Sequence, residues 1–296
     1  MAFKWAGQTQ VRSSIFLCLW SLTFSLAMVM TKSLSKDIPQ IVLMISRAAV
    51  GLLAMLPFWY PFSVKKVFHT PHIALLVLRG IFQTLAMVLG YAGYRYLPGE
   101  TAAFLGTSGP FFILLLARLF LKESLDTAHW IVMIMAYGGV LCVLNPFDVR
   151  FSAYTLIPIF ANVCMASSII VTRKLVLVAE DKKRMLFANS FFPLIFFSLV
   201  GICITVSWKL NGFEWRYLAT IGTLGALSAV FHFYALQRSS AAFVAIFDYF
   251  RLVVFLILNY FVYAEPMRTN AWIGGGIIVS ATLIYVMLKQ KQKRSA

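Results

Sequence analysis

The chain has 296 residues, of which 61% are hydrophobic, 16% aromatic and only 12% charged. A soluble domain is about half apolar and a quarter charged, so this composition excludes one and points to a membrane protein. The net charge of +16 lies in short clusters between apolar runs rather than in a folded basic domain, which excludes nucleic acid as a partner.

A helix needs about 20 mostly apolar residues to cross the hydrocarbon core. The first such run, 13–34, follows Lys4 and Arg12 and carries no charge from Ser13 to Thr31. It is longer than a signal-peptide core and no A-x-A cleavage site follows, so it reads as a retained span. Nine more follow at 38–61, 74–97, 100–121, 127–146, 152–172, 185–208, 216–237, 240–263 and 269–288. The turns SKDIPQ, YLPGE, NPFD and NGFE punctuate them, and the longest polar connection, 173–184, is too short for a soluble domain. The expected fold class is an all-α integral membrane protein with ten transmembrane helices.

In the second span Arg47 lies on a small-residue face with Gly51 and Ala54; it either faces a ligand or snorkels to the surface. In the third, Gln83, Met87, Gly90 and Tyr94 form a stripe with Tyr91 beside it, a combination of polar groups and flat rings suited to a small organic ligand. GTSGP at 106–110 is where the fourth span can unwind, since Pro110 removes a backbone hydrogen bond. Asn162 and Asn189 add donors in the sixth and seventh spans.

The eighth span presents Gly222, Gly225, Ala229 and His232 on one seam, with His232 either a proton relay or a packed neutral ring. The ninth carries Asp248 and Arg251 one turn apart, and Asn259 returns to within about 20° of Asp248 at 3.6 residues per turn. Each charge at mid-membrane costs about 2.5–3.5 kcal/mol, so the pair faces the protein interior, either as the wall of a substrate path or as a structural bridge. With Asp248 the one acid for Arg47 and Arg251, a positive charge is left over, and a bound carboxylate or phosphate would neutralise it.

Of the 26 Lys and Arg residues, seventeen fall on the face shared by the two termini, Arg79 among them, and seven on the other. The remaining two are Arg47 and Arg251, and the bias makes both termini cytoplasmic. Cys18, Cys142, Cys164 and Cys203 are scattered in apolar runs without CxxC spacing and read as packing residues. The histidines, at 69, 72, 129 and 232, form no HExxH or similar set, so neither metal, cofactor nor enzyme chemistry is expected.

The spans repeat. YRYLPGETAAF (94–104) lies over FYALQRSSAAF (233–243), and ESLDTAHWI (123–131) over EPMRTNAWI (265–273), at offsets of 139 and 142. Five spans per half reverse the second half in the membrane, giving two inverted repeats, 1–148 and 149–296, the build of many secondary transporters.

These features, with SRAAVG in the second span, TAAFLGTSGPFF in the fourth ending at Glu123, Gly138–Gly139 in the fifth and the echo ending at Glu265, resemble the EamA-type branch of the drug/metabolite transporter superfamily. The nearest likeness is to its S-adenosylmethionine uptake group, through the LRG of 78–80. The chain departs from the family where Gly usually precedes the closing Glu: Lys122 and Ala264 stand there.

The resemblance and the residues imply a secondary transporter of a small zwitterionic or anionic metabolite in the inner membrane. The expected site is Asp248, Arg251, Asn259, Gln83, Tyr91, Tyr94, His232, Arg47 and Asn162. A cation at i+3 keeps Asp248 ionised, which favours exchange or facilitated diffusion over proton symport. The partners are the substrate and the bilayer, and the protein is expected as a monomer or homodimer. A lipid or lipid-linked-sugar flippase is the alternative.

Overall fold

The computed structural model describes residues 2–32, 34, 38–59, 68–97, 105–144, 153–202, 208, 210–264 and 269–295. Ten long helices fill them: α1 Ala2–Lys32, α2 Gln40–Ala54, α3 Ile73–Tyr96, α4 Gly109–Phe120, α5 Thr127–Leu144, α6 Leu156–Leu177, α7 Lys182–Ile202, α8 Gly212–Arg238, α9 Ala241–Tyr263 and α10 Thr269–Ser295. A four-residue helix, Leu56–Trp59, continues α2, and no strand occurs among the described residues. Eight of the ten helices are long and apolar enough to cross a membrane, whereas α2 and α4 are shorter. The protein is a multi-pass membrane protein. The ends of the expected second and fourth spans, 60–61 and 100–104, lie outside the described residues.

Three boundaries differ from expectation. The 173–184 connection is helical as far as Leu177, because its apolar LVL segment packs Leu175 at 0% exposure. The fourth span is interrupted: helical residues 105–106 give way to a turn at 107–108 before α4 starts at Gly109, with Pro110 in its first turn, where proline's missing N–H is harmless. Finally, α1 and α10 continue beyond their apolar runs into their charged ends.

The helix ends explain how the chain turns. Asn211 and Glu214 close a capping box on α8, with bonds of 2.8 and 2.9 Å. Ser240 accepts the Phe243 N–H at 3.1 Å to start α9. At the far end of α4, Lys122 has φ 53°, and the N–H groups of Leu121 and Glu123 both reach the Ala117 carbonyl. Ala264 closes α9 with φ 51°. These left-handed positions are where the family pattern has glycine, and the chain adopts the glycine-like backbone without one.

Packing is symmetric under exchange of the halves. α1 lies along α8 and α9, and its counterpart α6 lies along α3 and α4. α2 packs on α7 and α8, while α7 packs on α2 and α3; α4 meets α9 and α5 meets α10. Gly80 of α3 abuts Phe192 of α7 as Gly222 of α8 abuts Val50 of α2, and partners in the two contacts are 142 residues apart, one of the two sequence offsets. Gly139 and Gly274 bring the α5 and α10 backbones together: a Cβ at Gly139 would lie 2.7 Å from the Gly274 carbonyl oxygen. The largest buried cluster joins α1, α4, α5, α6, α8, α9 and α10, with α9 buried continuously from Ala241 to Phe247. Contrary to the packing role expected of the cysteines, Cys18 and Cys142 are exposed on the apolar surface, while Cys164 is half-buried. Cys203 lies outside the described residues.

Candidate functional site

α9 owes its place in the core to an apolar sequence, so the two charges in its middle must be matched from within the protein. Arg251 Nη2 lies 3.3 Å from Asp248 Oδ1, as i, i+3 spacing dictates. The Asp248 side chain is 13% exposed and the Arg251 side chain 32%, so the acid is enclosed and the guanidinium is the accessible member. The guanidinium also stacks on α1, with its carbon 4.5 Å from the Phe24 ring centroid and 5.2 Å from that of Trp20. Ser25, next to Phe24, donates to the Arg251 carbonyl at 3.2 Å, tying α1 to α9 at the same level.

Arg47 approaches the same aromatic wall, 5.9 Å from the Phe24 centroid. Gly225 of α8 makes room for it, since a Cβ there would lie 2.9 Å from Arg47 Nε. Among the described residues no carboxylate lies within ion-pair distance of Arg47. His232, two turns beyond Gly225 on α8, packs its ring 4.8 Å from Trp20, and its buried Nε2 has no hydrogen-bond partner. Arg251, Arg47 and His232 therefore converge on Trp20 and Phe24, a pair at i, i+4 on α1.

Arg79 corrects the charge count. Rather than lying on the terminal face, it sits within α3, six residues after Ile73, inside a segment fit to cross the membrane. Its Nε donates to Thr172 Oγ1 of α6 at 2.6 Å, and its Nη2 donates to Asn189 Oδ1 of α7. Both partners are neutral. Interior cations thus number three against one interior acid, Asp248, among the described residues.

The other expected residues are placed as follows. Asn162 of α6 is committed to the break before α4, donating to the Leu105 carbonyl at 2.7 Å and to Ser108 Oγ at 3.0 Å. It satisfies a carbonyl freed by the interruption. Gln83 is half-buried on α3, one turn past Arg79. Asn259 is half-buried on α9, eight residues and about 12 Å beyond Arg251. The side chains of Tyr91 and Tyr94 lie outside the described residues.

A family model for the EamA-like transporter family matches residues 12–145 and again 152–287. The chain belongs to this family. An S-adenosylmethionine uptake transporter of Rickettsia felis is 26% identical over 89% of this chain and 88% of its own. A riboflavin transporter of Brucella anthropi is 23% identical, covering 88% and 92% of the two chains. A solved crystal structure superposes with a TM-score of 0.78 over 96% of this chain and 98% of its own, at 16% identity, which shows the shared fold.

As an EamA-like transporter the protein moves a small molecule rather than transforming one. The closing glutamate of its first half has a visible duty here. Glu123 accepts the N–H groups of Ala241 at 3.1 Å and Ala242 at 3.2 Å, both in the first turn of α9. Arg173 of α6 lies 3.6 Å from Glu123 and also donates to the Leu236 carbonyl near the end of α8. Four helices are joined at one end of the transporter by this pair. At the α6–α7 turn, burial pushes the Glu180 carboxyl up. Hydrogen bonds from Thr70, the Asp181 N–H and Arg184 outweigh that and hold it below the usual carboxylate range.

Sequence reasoning missed Arg79, Trp20 and Phe24. The apolar stretch on both sides of Arg79, IALLVL before it and IFQTLAMVLG after, was the signal for the first. Nothing in the spacing of α1 singles out the two aromatic residues.

Proposed function

We propose that the protein is a secondary transporter that binds a small zwitterionic or anionic metabolite, amino-acid-like and of the S-adenosylmethionine kind, at the Asp248–Arg251 pair. The observation that carries this is an arginine held over Phe24 and Trp20 beside an enclosed aspartate in the middle of α9. The aromatic contact holds the guanidinium in place, its N–H groups suit a carboxylate, and Asp248 answers an ammonium or sulfonium. The named substrate of the Rickettsia relative carries all three groups.

Symmetric packing of the two halves fits inverted repeats that rock about the site to give alternating access. Asp248 is bonded to Arg251 at 3.3 Å rather than held ready for a mobile ion, so exchange or facilitated diffusion is the coupling proposed. The excess of Lys and Arg on the terminal face supports an inner-membrane protein with both termini in the cytoplasm. The test is uptake of radiolabelled S-adenosylmethionine into liposomes preloaded with unlabelled ligand. Arg251→Ala abolishes uptake while the protein still inserts; undiminished uptake by that variant removes the site assignment.

A further inference from the structure

An arginine inside a membrane helix ordinarily finds a carboxylate, and among the described residues Arg79 has none. Its two observed acceptors are a hydroxyl and an amide oxygen. Thr172 in turn donates to the Ser168 carbonyl at 2.7 Å, so its one proton is committed and it meets Arg79 as an acceptor. Guanidinium only donates, which fixes the Asn189 amide with its oxygen toward Arg79 and its NH2 turned away. Three guanidinium N–H groups and the Asn189 NH2 remain without partners among the described residues.

The position is also specific. Arg79 is about 9 Å along α3 from Ile73, and Arg251 about 15 Å along α9 from Ala241. Both starts lie at one end of the bundle, because Arg173, next to Thr172 on α6, meets Glu123 at the start of α9. Arg79 is therefore nearer that end by about one helical turn. Leu76, one turn before Arg79 on α3, shares a buried cluster with Phe233 of α8, and the adjacent His232 packs with Arg251 on Trp20, so the two arginines border one interior region.

We propose that Arg79, with the Asn189 amide, forms a second anion-binding subsite on the same path, taking a carboxylate or phosphate group of the ligand before or after Arg251 holds it. This rests on the reading of the α9 pair as the wall of a transport path. The unpaired guanidinium N–H groups are donors for one oxyanion, and the Asn189 oxygen fixes the head that presents them. Thr172 and Asn189 keep the head in place without neutralising it, which a carboxylate partner would do.

The experiment is thermal unfolding of the full-length protein in detergent, titrated with sodium phosphate or sodium acetate against chloride at fixed ionic strength. Wild type should gain about 3 °C in Tm at ten times the apparent Kd. Arg79→Gln should lose that rise, and Arg79→Lys should keep a smaller one at higher anion concentration. Asn189→Asp places a carboxylate beside the guanidinium, so it should lose the rise while its Tm without added anion is unchanged or higher.

Three results overturn the proposal: no rise in wild type, a rise of wild-type size in Arg79→Gln or Asn189→Asp, or a rise lost only in Arg251→Gln. The second is also the outcome if Arg79 merely ties three helices together, since Gln would then lower the starting Tm and leave the phosphate response intact. Uptake of S-adenosylmethionine by Arg251→Ala liposomes tests the α9 reading separately, so its failure and that of the Arg79 subsite are distinguishable.

Discussion

Glu123 lends itself to a quantitative test because its contacts separate into parts. Its two oxygens each accept one first-turn N–H of α9, and Arg173 supplies a counter-charge at 3.6 Å, with the two side chains 13% and 16% exposed. Glu123→Ala leaves two helix-end donors without their acceptor, at about 1 kcal/mol each. Loss of the partner of Arg173 adds about 1 kcal/mol, giving about 3 kcal/mol in all. Glu123→Gln keeps the shape and one acceptor, so about 2 kcal/mol is lost, as one hydrogen bond and the charge. At about 2–3 °C per kcal/mol for a chain of this size, thermal unfolding followed by tryptophan fluorescence should drop by about 6–9 °C for Ala and 4–6 °C for Gln. A double-mutant cycle with Arg173→Gln should return a coupling of about 1 kcal/mol. If both variants melt within about 1 °C of wild type, the first turn of α9 is satisfied without Glu123 and its anchoring role is wrong.

Further outcomes follow from the backbone and the turns. Lys122→Gly and Ala264→Gly, at φ 53° and 51°, should each raise Tm by about 1–3 °C, since glycine accepts a left-handed backbone that other residues resist; a fall in both would show the strain is absent. Gly139→Ala drives a Cβ to 2.7 Å from a backbone oxygen of α10 that has no rotamer to escape by, and should cost about 1–3 kcal/mol in the same melt. Gly276→Ala, which meets nothing within 4 Å, should instead leave stability equal or slightly higher, and equal effects at the two sites would refute the close crossing. The depressed Glu180 carboxyl contributes stability that is fully present above its ordinary value of 4.5 and is lost as pH falls below that, through its folded value. Tm measured from pH 7 down to pH 3 should therefore fall less steeply for Glu180→Gln than for wild type.

The helical architecture was readable because lipid imposes it: only apolar runs of membrane length can cross, and those runs and their repeat lie in the sequence. The break ahead of α4 was readable from GTSGP for the same reason, proline and glycine being direct statements about the backbone. Asp248 and Arg251 announce themselves because charges at i, i+3 in an apolar helix are too costly to bury unless each has a partner. Arg79 did not, since a charge count assigns an arginine near a span end to the adjoining turn, and only the three-helix contact with Thr172 and Asn189 reveals its depth. Trp20 and Phe24 were hidden for a different reason: an aromatic ring suits lipid and protein interior alike, so nothing local tells which way α1 faces. Asn162 reads from the sequence either as a ligand donor or as an interhelical hydrogen bond, and the carbonyl it meets belongs to a helix break 57 residues earlier in the chain.

The crosswise packing of the halves has a consequence for how the molecule is made. Ser13 of α1 shares a hydrogen bond with Ser239, 226 residues later, and α1 lies along α8 rather than along its own sequence neighbours. At about 5–20 residues per second of synthesis, the first helix waits on the order of 10–40 s in the bilayer before its mate is inserted. During that interval its inward face, Ser13 and Trp20 included, has only lipid or the insertion machinery to touch. The nascent half is thus an unfinished surface, and a stalled or truncated chain should be recognised as unassembled long before any question of transport arises.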